Sequence, residues 1–164
     1  MIFIGAISLF LAINYIKQCN YHLKAVSQCL TMIENIEILL SYNSLSSQEI
    51  FKLLSKNNIY NLLTFIKKIN ENMEVKENSY VLSSCNLEYI NSNLYLKKDD
   101  KENLINFFSL FGKSDLNGQI MNCKKYKEIF KNRLDYIEKN EKNECKSISV
   151  LIVGIGILII ILLF

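Results

Sequence analysis

Five cysteines are the residues in this sequence best suited to metal or redox chemistry, and they lie at Cys19, Cys29, Cys85, Cys123 and Cys145. Their number is odd, their spacing is wide, and no C-x-x-C pair brings two of them together. Structural zinc sites draw their ligands at characteristic short spacings, so this scatter argues against a metal site. Each cysteine falls in an apolar stretch of helical pattern, and free cysteine is readily buried. We therefore expect packed thiols in a reducing compartment.

The acidic residues and the single histidine offer few other candidates for chemistry. Asp99 and Asp100 form the only adjacent acid pair. They suit acid–base or metal work, but negative charge in the first turn of a helix also stabilises the helix dipole, and we favour that role. His22 has no obvious acid or metal partner, so we expect it on the surface. The run from Glu138 to Lys146 alternates in sign and predicts a solvated helix face, which includes Glu141 to Cys145.

Motifs for catalysis are missing from the sequence. It has no Gly-rich phosphate loop, no G-x-S-x-G elbow, and no histidine in a recognisable pattern with a Cys or Ser nucleophile. The formal net charge is +3, and the acids and bases interleave, whereas a nucleic-acid-binding protein needs a clustered basic face. The sequence therefore predicts a non-enzymatic protein that takes no cofactor and binds no nucleic acid.

Both ends of the chain are strongly apolar. Residues 1–16, MIFIGAISLFLAINYI, carry no charge and would span about 24 Å as a helix, slightly short of a hydrocarbon core of about 30 Å. A cleaved signal peptide is the alternative, but no positive n-region or small-x-small cleavage site is present. Residues 148–164, ISVLIVGIGILIIILLF, are apolar on every face. We predict a transmembrane helix at each end, with Gly154 and Gly156 allowing close approach of another helix.

The segment between the two apolar ends, 17–147, is predicted to be a soluble helical domain on the cytoplasmic side of the membrane. Positive residues flank both predicted spans on this inner side only, and flanking positive charge marks the cytoplasmic face. The residues concerned are Lys17, Lys24, Lys139, Lys142 and Lys146.

Helical spacing of apolar residues continues from Cys19 to Leu40, so the first helix is predicted to leave the membrane without a break. A turn follows at Ser41–Ser47, where Ser46 and Glu49 match a capping box that opens the second helix. Asn57 and Asn58 interrupt that helix, and the apolar pattern that resumes at Ile59 predicts a helical hairpin. Asn70–Asn78 is predicted to be a loop or a frayed end.

The remainder of the middle also has the pattern of helices. Tyr80–Leu96 favours a helix, with a short strand at Val81–Cys85 as the alternative. A further helix opens at the Asp pair and ends at Gly112 as its C-cap. Ser114 or Asp115 caps a last long helix that is expected to run towards the second apolar segment. With no Pro and only 5 Gly in the chain, we predict an all-α fold of five or six helices.

The segment order and a few local strings resemble a known family. The carriers are Glu37-Ile38 with Leu45 at the first turn, the string Phe111–Asp115 (FGKSD) with Gln119 four residues beyond its Asp, and the Gly-containing apolar tail. On these residues the chain resembles, over nearly its whole length, the stage III sporulation protein AB family of endospore-forming bacteria.

This resemblance implies a scaffold in the stage III sporulation assembly, AA to AH, which connects mother cell and forespore. It implies a bundle of about six helices like the cytoplasmic domains of type II secretion platform proteins, held in the mother-cell membrane. Its partners would be the other stage III sporulation proteins, including the AA ATPase that it docks, and it could form a homo-oligomer. Candidate partner contacts are Glu34, Glu37, Gly112, Ser114, Asp115 and Gln119, for which helix capping is the structural alternative.

Two other functions compete with the scaffold. A small helical membrane pore or lytic protein has short spans and basic flanks, but such proteins place their function in the spans and have little need of the long amphipathic middle. A membrane-tethered enzyme would need a convergent cluster of titratable residues, which the sequence does not indicate.

Overall fold

The computed structural model describes residues 2–43, 45–75 and 84–162 of the chain. Within these ranges the protein has six helices and no strand, which confirms the predicted all-α fold and helix number. The helices are α1 (Ile2–Asn43), α2 (Ser47–Lys56), α3 (Phe65–Val75), α4 (Ser84–Asn91), α5 (Lys98–Ser109) and α6 (Leu116–Leu162). A short 3-10 turn at Asn58–Tyr60 separates α2 from α3.

The two long helices, α1 and α6, run antiparallel and form the backbone of the fold. A disulfide joins Cys19 to Cys145, and the Lys127 ammonium lies 2.6 Å from the Glu37 carboxylate, so the start of one helix lies beside the end of the other. Both helices continue from the polar part of the protein into its apolar part, as the sequence predicted. Within α6, a π-helical turn at Ile137–Glu141 joins two α-helical parts, Leu116–Tyr136 and Lys142–Leu162.

The short helices α2 to α5 cover the polar part of this pair and enclose the core. Five phenylalanines fill its centre, and the rings of Phe107 and Phe108 lie 4.9 Å apart in an edge-to-face arrangement. Full burial of such a side chain contributes about 1.5–3 kcal/mol, so these rings are major stabilising elements of the bundle. The fully buried phenylalanines are Phe51, Phe65, Phe107, Phe108 and Phe130.

The predicted helix boundaries are confirmed at several turns. Ser46 caps α2 and forms the expected capping box with Glu49, whose carboxylate accepts a 2.9 Å hydrogen bond from the Ser46 backbone N–H. The break after α2 also lies at the predicted asparagines, because the Asn57 side chain accepts a hydrogen bond from the backbone N–H of Ile59. In contrast, α1 extends through Asn43, so the turn begins later than Ser41.

Two other boundaries differ from the sequence prediction. The loop expected from Asn70 is helical as far as Val75, because the buried side chains of Ile69 and Met73 keep one face of α3 packed on the core. The helix expected over Tyr80–Leu96 is shorter and ends at Asn91. Residues 76–83, which include most of the alternative strand, lie outside the described part of the chain.

The apolar parts of α1 and α6 pack directly against each other. A Cβ atom added at Gly156 would lie 2.6 Å from the Ser8 Cβ, whereas one added at Gly154 would meet nothing within 4 Å. The predicted close approach is therefore confirmed for Gly156 and wrong for Gly154. Among the described residues one helix, Leu116–Leu162, is long and apolar enough to cross a membrane, and 17% of its most apolar stretch is buried. The span at 1–16 stays a prediction.

We expect the contact between Gly156 and Ser8 to tolerate no larger side chain. Gly156→Leu should lower the free energy of unfolding by about 1–3 kcal/mol, since it overpacks the helix pair. Gly154→Leu is the matched control and should change stability by less than about 1 kcal/mol, in either direction. Thermal unfolding of the full chain in detergent, followed by circular dichroism, measures both. Equal destabilisation by the two variants would contradict the close contact.

Candidate functional site

Four of the six predicted partner-contacting residues lie in the loop between α5 and α6 or in the first turn of α6, a segment here called the distal turn (residues 110–119). Gly112 has a φ of +78°, a backbone conformation that favours glycine. A Cβ atom there would also lie 2.7 Å from the Ser47 hydroxyl oxygen at the start of α2. Gly112 was predicted to be the C-cap of α5, but that helix already ends at Ser109 with Leu110 as its cap. Gly112 instead allows the turn to fold close to α2.

The remaining polar residues of the distal turn bind the turn itself. Asp115 is the N-cap of α6, and its carboxylate accepts a 3.0 Å hydrogen bond from the backbone N–H of Gly118. Of the two predicted caps, Asp115 therefore takes the role and Ser114 does not. The Gln119 side chain donates to the Ser114 carbonyl at 3.0 Å and accepts from the Gly112 N–H at 3.3 Å. These contacts give Asp115 and Gln119 a structural role in the distal turn.

The other two predicted residues, Glu34 and Glu37, lie on the C-terminal part of α1. Glu37 is half-buried, and its carboxylate lies 2.6 Å from the Lys127 ammonium on α6. This ion pair joins the two long helices. The hydrogen bond to Glu37 raises the pKa of the Lys127 ammonium. Glu34 is exposed one turn earlier. The antiparallel register places both acids towards the same end of the bundle as the distal turn.

Several exposed apolar side chains lie towards this end of the molecule. We call this end the distal tip and define it by Glu34, Ile38, Tyr42, Leu116, Met121 and the distal turn. Tyr42 is 84% exposed and Met121 is 71% exposed, and neither belongs to the segments that are predicted to enter lipid. Glu34, Ile38 and Tyr42 are spaced four residues apart and so share one face of α1. Exposed apolar residues at one end of a protein, outside the segments that enter lipid, are typical of a protein–protein contact.

A second polar arrangement, which the sequence did not predict, lies at the opposite end of the bundle, next to the apolar parts of α1 and α6. At its centre the fully buried Asp100 carboxylate lies 2.7 Å from the His22 Nε2 and 3.0 Å from the Arg133 Nε. The same carboxylate accepts a 3.0 Å hydrogen bond from the Lys97 backbone N–H, which confirms the predicted capping role for Asp100. His22 is 7% exposed, so its predicted surface position is wrong.

Glu141 completes this arrangement, which we call the junction cluster: His22, Lys97, Asp100, Arg133 and Glu141. Its carboxylate lies 2.6 Å from the Lys97 ammonium, 3.0 Å from the Arg133 guanidinium and 3.4 Å from the His22 Nδ1. The predicted solvated face of this segment is therefore wrong for Glu141, as it is for the buried Cys145. The lone histidine and lone arginine of a lysine-rich chain were the only sequence signals for the cluster.

The π-helical turn explains how Glu141 reaches the cluster. In a regular α-helix, residues eight positions apart, such as Arg133 and Glu141, differ by about 80° in direction. A π-helical turn accommodates one additional residue, so Glu141 points roughly where a residue seven positions away would, within about 20° of Arg133. Arg133 and Glu141 therefore point to the same side of α6, where both reach the cluster.

The electrostatics of the junction cluster indicate a structural role, in which its ion pairs hold helices together. Burial alone would raise the pKa of Asp100, but hydrogen bonds from His22 and Arg133 outweigh it and hold that pKa below its ordinary value. The pKa of Glu141 is also lowered, since Lys97 and Arg133 outweigh the effect of burial. Both ring nitrogens of His22 face carboxylates, whereas a general base needs a nitrogen that reaches the substrate. The cluster thus joins α1, α5 and α6.

The cysteines lie in two different states in the structure. Cys19 and Cys145 form a disulfide beside the junction cluster, a pairing that the sequence did not predict. Cys29 and Cys123 are free and buried, as expected, and burial raises the pKa of Cys123 to about 12. The Cys85 side chain lies outside the described part of the structure. Among the described residues, no group of three or more His, Cys, Asp or Glu side chains is placed to hold a metal.

Comparison with known proteins gives one match. The model of a family described as stage III sporulation protein AB matches residues 1–164, which is the whole chain. No curated protein and no solved structure matches. The family predicted from the local strings is therefore confirmed, while the likeness to type II secretion platform proteins has no matching structure behind it.

We expect Asp100 to be essential for stability in a way that its neighbour is not. Asp100→Asn removes the buried carboxylate that His22 and Arg133 share, and it should cost about 3–5 kcal/mol of unfolding free energy at pH 7. Asp99→Asn, an exposed change in the same helical turn, should cost at most about 1 kcal/mol. Chemical unfolding of the full chain in detergent measures both.

A pH series on the same proteins adds an independent readout. The pKa values of folded Asp100 and Glu141 lie below their ordinary values, so their stabilisation is present above about pH 5 and is lost as the pH falls below about 4. Asp100→Asn should show a weaker loss over this range. An acid response identical to that of the wild type would contradict the role given to Asp100.

Proposed function

This chain belongs to the stage III sporulation protein AB family, and we propose that it is a non-enzymatic platform subunit of the AA to AH assembly that connects mother cell and forespore. In this proposal it is a scaffold that docks the assembly's ATPase on the cytoplasmic side of the mother-cell membrane. We also propose that the fold is similar to that of the cytoplasmic domains of type II secretion platform proteins, which is an argument from analogy of fold.

The paired long helices support the membrane part of the proposal. The apolar part of α6 is largely uncovered by protein, and residues 2–16 of α1 pack along it through the contact between Ser8 and Gly156. We propose that residues 1–16 and 148–164 enter the bilayer as an antiparallel pair of helices, with residues 17–147 in the cytoplasm. The lysines listed above flank both segments on that side.

The distal tip is the surface that best supports docking, and its exposed apolar residues carry this proposal. From residue 17 to Asn43, α1 extends about 40 Å without interruption, so the tip lies far from the membrane. The tip combines Tyr42 and Met121 with charged groups at Glu34, Lys113 and Asp115. An apolar centre with a polar margin is typical of protein interfaces. In this proposal the ATPase contacts the tip, and the bonds within the distal turn keep it in shape.

The docking proposal predicts a loss of ATPase binding from changes at the tip alone. Ile38→Ser with Tyr42→Ser should weaken retention of the AA ATPase by the full-length protein at least about tenfold, since central aromatic and apolar contacts dominate interface energies. Leu53→Ser with Ile59→Ser is the control, since these residues are also exposed and apolar but lie on α2 and the 3-10 turn. Retention is measured by pull-down in detergent.

Two outcomes of this experiment, and one of a deletion strain, would contradict the proposal. Normal retention by the tip variant, or equal loss in both double variants, would contradict docking at the tip. Normal spore formation by a strain that lacks the protein would contradict the platform role as a whole.

The cytoplasmic orientation makes a prediction about Cys19 and Cys145. A reducing cytoplasm keeps such pairs as thiols, whereas an oxidising compartment preserves the disulfide. Sporulating cells quenched with acid and labelled under denaturing conditions with a polymer-linked maleimide should therefore give five labels per chain. Purified protein after mild oxidation should give three, the five cysteines less the joined pair.

The double variant Cys19→Ser, Cys145→Ser is the control for this measurement, because it must give three labels in either compartment. Three labels on the wild-type chain in cells would mean that the disulfide is kept. The junction between the apolar helices and the bundle would then face an oxidising compartment, and the cytoplasmic orientation would be wrong.

A further inference from the structure

A cavity of about 680 Å³ opens beside the junction cluster, between α1, the loop that precedes α5, and α6. Its size is in the range of binding sites for small molecules. The wall formed by α1 includes Ile16 and Cys19, and the wall formed by α6 includes Lys142 and Cys145. The cavity therefore lies where the apolar segments at 1–16 and 148–164 give way to the polar bundle.

The charge at this cavity is positive. Its lining includes three ammonium groups, from Lys97, Lys142 and Lys146, and one carboxylate, from Glu141, for a balance of +2 (three minus one). Glu141 is already bound by Lys97 and Arg133. Among the described residues, Lys142 and Lys146 are exposed on α6 and form no salt bridge. Two ammonium groups one helical turn apart are thus available to an anion.

The opposite side of the cavity is apolar and rigidly held. Leu94 is 91% exposed at its edge, although the loop that carries it is fixed by the buried Asn93, whose side chain donates a 2.9 Å hydrogen bond to the Leu62 carbonyl. The next residue, Tyr95, has its ring 5.3 Å from that of Tyr21 on α1. An exposed leucine and tyrosine rings beside apolar helices are typical of a protein surface at the boundary of a membrane.

We propose that this cavity binds the headgroup of an anionic phospholipid. The phosphate lies between Lys142 and Lys146, and the glycerol and the first carbons of the chains lie against Leu94 and Ile16. Basic pockets beside membrane helices on the cytoplasmic side suit anionic headgroups. The apolar wall favours a lipid over a free phosphate ion, which would gain nothing from it. This inference rests on the membrane anchoring in the proposed function, but does not depend on the partner that docks at the distal tip.

The test compares lipid binding by the full-length protein in a neutral detergent, measured by native mass spectrometry. The probes are phosphatidylglycerol, phosphatidylcholine and inorganic phosphate, each in a separate titration. Wild-type protein should retain phosphatidylglycerol in preference to phosphatidylcholine, and Lys142→Gln with Lys146→Gln should weaken that binding at least about tenfold.

The matched control is Lys124→Gln with Lys131→Gln, which removes two exposed lysines from the same helix, away from the cavity. This control should bind phosphatidylglycerol as the wild type does. Equal weakening in both double variants would show charge attraction without a site, and equal binding of the two lipids would show no headgroup selection. Binding of inorganic phosphate with the affinity of the lipid would show a phosphate site. Each of these three results would overturn the proposal.

The lipid test and the docking test fail independently. Loss of selective lipid binding with retention of the ATPase by the same protein would reject the cavity assignment alone. Selective lipid binding without ATPase retention would leave the cavity assignment intact and reject docking at the distal tip. A variant that shows altered thermal unfolding is replaced by the single changes Lys142→Gln and Lys146→Gln, for which an intermediate loss is expected.

Discussion

A carboxylate that is completely removed from solvent must find compensating partners, and Asp100 finds them on three separate parts of the chain. The His22 ring comes from α1, the Arg133 guanidinium from α6, and the Lys97 N–H from the start of α5 itself. A buried ion pair contributes little net stability compared with apolar packing, but its disruption is costly. The arrangement therefore selects one relative position of α1, α5 and α6 and penalises alternatives. The rest of the bundle is arranged around that position.

Fixing α1 against α6 links two ends of the molecule that differ in chemistry. At one end, the Glu37–Lys127 pair and the distal turn hold a surface with exposed apolar residues. At the other end, the apolar parts of the same two helices pack closely against each other. Because both helices are continuous across the cluster, a displacement at one end is carried along stiff elements to the other. Such a layout suits a scaffold that holds a partner at a set distance from a membrane.

The sequence predicted what depends on local chemistry. The capping box at Ser46 and Glu49 and the cap at Asp115 both follow from residues within a few positions of one another. The junction cluster could not be predicted in this way, because 78 positions separate His22 from Asp100. The disulfide has the same character, with a separation of 126 residues. The partner-contacting role given to the distal turn also remains a prediction, since turn formation explains its side chains.

The π-helical turn at Ile137–Glu141 shifts the side-chain directions of one part of α6 relative to the other. In a regular α-helix each residue turns the side-chain direction by about 100°. The angle between the directions of Arg133 and Gly156 would then depend only on the number of residues between them. With one additional residue absorbed between them, the part in the bundle can satisfy Asp100 while the apolar part turns its smallest residue towards Ser8. The turn therefore sets a fixed angular offset between the two parts of α6, and both parts can pack on α1 at once while the helix stays continuous.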